Sequence, residues 1–160
     1  MIVVSDASPL YYLILIKRDF VLPALFGRVL TTPLVVAELS RPEAPEKVRA
    51  WLAQPPDWFE IQSPSLTSAT TRLDAGEIEA IALACELQAD ALLIDERDGA
   101  KFAREQGLFV TGTLGVLQTA SRRGLISLAD ALAALRSTNF RHSKVLFDQL
   151  LGDDSSESSG

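Results

Sequence analysis

Cysteine and histidine are nearly missing from this chain of 160 residues, which has Cys85 and His142 and no others of either type. A single thiol excludes an intramolecular disulfide and suits a reducing cytoplasm. One Cys and one His also cannot furnish a typical structural zinc site. No apolar run reaches the length of a membrane span, and the richest, "LYYLILI", stops at Lys17 and Arg18. The N-terminus lacks a basic segment followed by an apolar stretch and a cleavage site, so the expectation is a cytoplasmic protein with no membrane partner. Positive charge is short as well. The formal net charge is −6, which taken alone argues against a nucleic-acid partner. The C-terminal "DDSSESSG" has no apolar residue and reads, over 152–160, as a disordered acidic tail. Asp153, Asp154 and Glu157 lie in it, so the rest of the chain carries only −3 and overall acidity decides little.

What remains is 48% hydrophobic and long enough for one domain, expected over 1–151. Apolar strand-formers run from Ile2 to Ser5, and a helix follows with Ser8 as its expected N-cap and Pro9 at its first position. "GRVLTT" reads as a strand. "TPLVVAELSRP" reads as a short helix capped by Thr32 and stopped by Pro42. "PEKVRAWLAQ" is a helix ended by Pro55 and Pro56, and "WFEIQ" a short strand. In "LDAGEIEAIALACELQ", Ile78, Ile81, Ala82 and Cys85 fall at i, i+3, i+4 and i+7, which predicts a helix burying that face. "ADALLID" and "LFVTG" are strands, each followed by a helix closed by a glycine, Gly107 and Gly124. Helices near 127–136 and 143–151 complete the reading. Strands alternating with helices imply right-handed crossovers, hence an α/β fold: a three-layer α/β/α sandwich around a mostly parallel sheet.

Asp6 and Asp95 both stand where an apolar strand ends, and open parallel sheets form their sites outside the carboxyl ends of strands. Two helices supply further acids. Glu77 lies in the first turn of its helix, with Glu79 and Glu86 directed more nearly outward. Glu38 shares the face of Leu34 and Val35. A carboxylate on the core side of a helix is costly unless something pairs with it, and no Lys or Arg is obviously placed to do so. Each acid also has a plainer role. Asp74 and Glu77 form D-x-x-E, a capping box; Asp95 can cap the next helix; Glu38 can be a solvated helix residue.

The succession of Asp6 in "VSDASPL", Glu38 in "PLVVAEL", Glu77 in "LDAGEIEAIALA", Asp95 in "LLIDERDG", and then "VTGTLGVL" resembles the PIN-domain family, most closely its small prokaryotic VapC-type toxins. The resemblance covers about 1–135. It implies metal-dependent cleavage of single-stranded RNA, with the catalytic acids falling on Asp6, Glu38, Glu77 and Asp95. Many relatives carry Thr or Ser before the last acid and another acid soon after it. Here Ile94 precedes Asp95, and Glu96 and Asp98 follow, so Asp98 and then Glu96 are the alternates for that role. Asp98 joins the four as an expected metal ligand.

Clustered carboxylates repel one another unless cations neutralise them, and ligands that are all oxygen suit Mg2+ or Mn2+. A metal-activated water then needs no Ser, Cys or His nucleophile. Ser8 could also hold a water or an acid, and Thr111 and Thr113 could meet a phosphate. The helix in "LYYLILI" has no good water-facing stripe. It is either enclosed by the chain itself or covered by a second copy or by the antitoxin that the resemblance implies. The expectation is a ribonuclease toxin, a homodimer with an antitoxin partner. The alternative is a PIN-like module that binds RNA or protein without cutting. A dehalogenase-type phosphatase would need D-x-D where the chain has Asp6-Ala7-Ser8, and a phospho-receiver would need a late-strand Lys that "VTGT" lacks.

Overall fold

The computed structural model of the chain describes residues 1–67, 73–141 and 146–152. Two compact units emerge, Met1–Thr113 and Leu114–Gly160. The expected tail beyond Gly152, and the start of the helix expected at 143–151, lie outside the described residues.

The first unit is built on five strands: β1 (Ile2–Ser5), β2 (Arg28–Thr31), β3 (Phe59–Ile61), β4 (Ala91–Leu93) and β5 (Val110–Thr111). They pair in the order β3-β2-β1-β4-β5, and every neighbouring pair is parallel. The parallel α/β class expected from the strand–helix alternation is therefore what the chain adopts. Val3, Val4, Val29, Leu92 and Leu93 are fully buried. Such continuous apolar runs belong to strands covered on both faces. From β1 the chain steps outward to β2 and β3, then returns to lay β4 on the other side of β1. The switch point thus falls between β1 and β4, where Asp6 and Asp95 leave the sheet.

The connecting helices are α1 (Ala7–Leu15), α2 (Val21–Phe26), α3 (Pro33–Leu39), α4 (Glu46–Ala53), α5 (Ala75–Glu86) and α6 (Arg97–Glu105). Helix α1 packs against α3 and α4, burying Pro9, Leu10, Leu13 and Ile14. Much of the enclosure that its apolar sequence demands is supplied within the unit. Helix α5 packs on β1, β4 and α3, and α6 on β5.

Four local readings need correction. Helix α1 starts at Ala7 with Asp6, not Ser8, in the N-cap position, and the Asp6 side chain makes no capping bond. Glu96, not Asp95, caps α6, accepting the amides of Asp98 and Gly99. Helix α2 is an element the sequence reading does not include; its Pro23 falls in the first turn, where a missing N–H is tolerated. Cys85 is exposed rather than in the core. The buried residues of α5 include Gly76, Ala80, Leu83 and Ala84, and the helix packs on β1 and β4. Ile81 is buried as expected, but Ile78, Ala82 and Cys85 border a surface groove of about 700 Å³ with Leu66 and Phe102.

Helix α7 (Thr113–Arg122) starts on the last residue of the first unit; within the second unit, it and α8 (Leu128–Arg136) bury Val116, Leu117, Leu128, Leu132 and Leu135. Ser127 caps α8 by accepting the Asp130 amide. Residues 146–152 are helical. Arg136 stacks over the Phe147 ring at 5.1 Å from its centroid.

The core depends on the central strand contacts. Leu92, fully buried and paired in register with Val4 and Val110, should tolerate truncation poorly. Leu92→Ala is expected to lower unfolding free energy by about 2–5 kcal/mol, read as a lower urea midpoint.

Candidate active site

At the carboxyl edge of β1, the Asp6 amide donates to the Leu93 carbonyl at 2.8 Å, carrying the β1–β4 ladder one step past the strands. Asp6 is 5% exposed there. Burial raises the Asp6 carboxyl to about 7, and the charges of Asp74, Glu38 and Asp95 push the same way, against one opposing bond from the Ala7 amide.

Glu77 enters from α5. It completes the capping box foreseen in "DAGE": its amide donates to Asp74 Oδ1 at 2.8 Å, and its Oε2 accepts the Asp74 amide at 3.4 Å. The same side chain is only 7% exposed. Burial, followed by the charges of Asp74, Asp6 and Glu96, raises Glu77 to about 8. Capping and a place in the cluster are compatible here, because a cap uses little of a carboxylate's accepting capacity.

Glu38 is half-buried on α3. Burial and Asp74 raise its carboxyl, while Arg41 draws it down. Leu34 beside it is exposed and Val35 buried, so Glu38 sits at the border of the buried face and not squarely on it. Glu79, expected to point outward, instead reaches across to α3, where its Oε1 accepts the Leu34 amide at 3.2 Å. That bond ties the helix bearing Glu38 to the helix bearing Glu77.

Two glycines mark where the acids close on the helices. A methyl group at Gly76 would stand 3.4 Å from Glu38 Oε2 and 3.5 Å from Asp74 Oδ1. At Gly99 it would stand 3.4 Å from Glu96 Oε2 and 3.6 Å from Glu77 Oε2. Asp6, Glu38 and Glu77 therefore share one region with Asp74 and Glu96. Asp74 was read from the sequence only as a cap, yet it acts on all three; its position one helical turn before Glu77 was the available signal. Glu96 likewise acts on Glu77 while capping α6.

Asp95 comes to the same edge but is held differently. Its Oδ1 accepts the Thr113 amide at 2.7 Å, and its Oδ2 accepts the hydroxyls of Ser8 and Thr113, each at 2.6 Å. Ser8, expected as a cap, and Thr113, expected to meet phosphate, both spend their hydroxyls on this acid. Asp98 is exposed on the first turn of α6, and nothing described ties its side chain to the cluster.

Among the described residues no three His, Cys, Asp or Glu side chains stand ready to hold a metal ion. In chemical kind, however, the cluster fits a hard divalent cation. Its donors are oxygen, they repel one another, and a cation would relieve the repulsion that raises Asp6 and Glu77. Among the described residues, a cation acts on one of these acids: Arg41, on Glu38. The ion pairs Arg28–Glu60 and Arg136–Asp148 involve none of them.

A family model described as "DUF3368: PIN domain" matches residues 2–155. The fold is similar to that of SSO1118, a PilT N-terminus domain protein from the hyperthermophilic archaeon Sulfolobus solfataricus P2. That likeness has a TM-score of 0.51 at 17% identity, covering 89% of this chain and 100% of the other. No curated protein matches. No helix among the described residues is long and apolar enough to cross a membrane.

Because Asp6 and Glu77 sit above their ordinary values of 3.8 and 4.5, the folded chain keeps protons that the unfolded chain releases. Their contribution to stability is full below those ordinary values and is lost as pH rises through about 7 and about 8. The urea midpoint of the metal-free protein should fall over that range. Asp6→Asn should flatten the fall and be more stable than wild type at the alkaline end by at least about 1 kcal/mol. A wild-type profile that rises with pH would contradict the assignment.

Proposed function

The chain belongs to the PIN-domain family, and from that premise we propose that its acidic crevice is the centre of a divalent-metal-dependent endoribonuclease acting on single-stranded RNA. The observation that carries the reading is the burial of Asp6 and Glu77 at one sheet edge among other acids, with both carboxyls raised, Asp6 acting on Glu77, and no basic residue among the charges described as acting on them. An acid kept in that state for stability alone would be better replaced by an apolar residue. As part of a cation-binding centre, the repulsion becomes the attraction for the ion.

Asp6, Glu38 and Glu77 are the carboxylates assigned to hold Mg2+ or Mn2+, with Asp95 beside them; Asp98 stays outside this set. When bound, the ion would supply an activated water and neutralise charge at the scissile phosphate. The protein's own part is to hold the acids in place. The β1–β4 ladder fixes Asp6, the capping box fixes Glu77, and Glu79 fixes the start of α3 below Glu38. Burial keeps bulk water from screening them.

The same reading makes the chain a ribonuclease toxin, cytoplasmic and homodimeric, restrained by an antitoxin protein. Support for that part is the likeness of its motifs to VapC-type proteins. One observation favours a second reading, a PIN-like module that binds RNA or protein without cutting: no ready-made ligand set stands among the described residues.

Calorimetry with Mn2+ and cleavage of a labelled single-stranded RNA separate the two. Wild type should bind Mn2+ and cut, and a chelator should stop it. Asp6→Asn and Glu77→Gln should each reduce cleavage at least about 100-fold while remaining folded. Undiminished cleavage in either variant would refute the assigned roles, and a wild type that binds RNA but neither Mn2+ nor cuts would establish the second reading.

A further inference from the structure

Three segments distant in sequence meet at the carboxylate of Asp95. Ser8 belongs to the first turn of α1, Asp95 follows β4, and Thr113 follows β5. Three bonds of 2.6–2.7 Å join them. A carboxylate offers about four acceptor positions, and three are filled here, with Oδ2 fully engaged by two hydroxyls. Thr113 is completely buried, so its hydroxyl would be left unsatisfied if Asp95 turned away. Gly112 closes the last side, since a methyl group there would lie 2.5 Å from Asp95 Oδ1.

Asp6 is arranged in the opposite manner. It occupies the N-cap position of α1, yet its side chain makes no capping bond. Two anchors flank it. Its own amide is bound to Leu93 of β4, and two residues on, the Ser8 hydroxyl is bound to Asp95. The turn that carries the Asp6 carboxylate is thus tied on both sides.

We propose that Asp95 is a positioning residue of the crevice: through Ser8 and Thr113 it fixes the turn that presents Asp6, and it does not itself lend an oxygen to the metal ion. The proposal rests on the nuclease reading for the identity of the ion. Asp95→Asn cannot test it, because removing a negative charge weakens cation binding whichever role Asp95 has. Removing the donors instead leaves the charge in place, and the two roles then differ at Asp6. If Asp95 were a ligand that Ser8 and Thr113 merely orient, their loss would weaken binding and leave exchange at the Asp6 amide unchanged. If Asp95 positions, their loss frees the Asp6 turn and weakens binding.

The test is Mn2+ calorimetry on the full chain as wild type, Ser8→Ala, Thr113→Val and Ser8→Thr. The expected result is a loss of about 10-fold in affinity for Ser8→Ala and for Thr113→Val, the scale of lost support behind a ligand. Ser8→Thr, which restores a hydroxyl, should recover most of it. Unchanged or tighter binding in the folded Ser8→Ala and Thr113→Val variants overturns the proposal. Hydrogen exchange provides an arm that needs no metal: Ser8→Ala should speed exchange at the Asp6 amide. If wild type takes up no Mn2+, the nuclease reading falls. The exchange arm then decides the clamp by itself, and in either case unchanged exchange at Asp6 overturns it.

Discussion

Two carboxylates taken out of water at the same edge of a parallel sheet set the terms for everything around them. For both Asp6 and Glu77 the largest influence is burial itself, with the charges of neighbouring acids adding to it. Desolvated charge is among the more expensive things a folded chain can hold. The rest of the first unit can be understood as what makes this tolerable. Val3, Val4, Leu92 and Leu93 supply apolar burial immediately beneath the acids. The strand order brings β1 and β4 side by side, so that the crevice opens at the sheet's switch point. Helix α5 then contributes Glu77 from a position against both strands.

Economy in the use of side chains follows from the same crowding. Asp74 caps α5 and also bears on Asp6, Glu38 and Glu77. Glu96 caps α6 and bears on Glu77. Helix starts collect at this edge because parallel strands all deliver their chain there. Each helix N-terminus brings unpaired amides that favour negative charge. The acids are thus partly held by backbone donors, as in the bond from Ala7 that opposes the rise at Asp6. Local capping chemistry and the shared crevice draw on one population of carboxylates, so asking whether a given acid is a cap or a site residue poses a false choice.

The legibility of the sequence divides along physical lines. Strand ends were readable because β1 and β4 carry apolar runs with a carboxylate close behind, Ser5 alone intervening before Asp6, and Glu77 because it follows a capping signal. The buried side of α5 was not readable from periodicity: with apolar residues nearly all round, the pattern Ile78, Ile81, Ala82, Cys85 pointed to a face of which only Ile81 is fully covered. The covered side takes in Gly76, Ala80, Leu83 and Ala84, residues of mixed size that no apolar period singles out. Side-chain hydrogen bonds across the chain, such as Ser8 to Asp95 or Leu34 to Glu79, leave no periodic trace at all. They depend on which turns the topology brings together.

That last class of contact is what separates two aspartates that look equivalent in the sequence. Both follow an apolar strand, and both precede a helix by one or two residues. Asp95 meets two hydroxyls and an amide on arrival. Asp6 meets the Ala7 amide and other acids. A carboxylate surrounded by donors has its charge answered by the protein and is fixed in direction. One surrounded by carboxylates has its charge unanswered and retains the capacity to bind something cationic from outside. The assignment of roles at this crevice therefore follows from the company each acid keeps, which strand position alone does not determine.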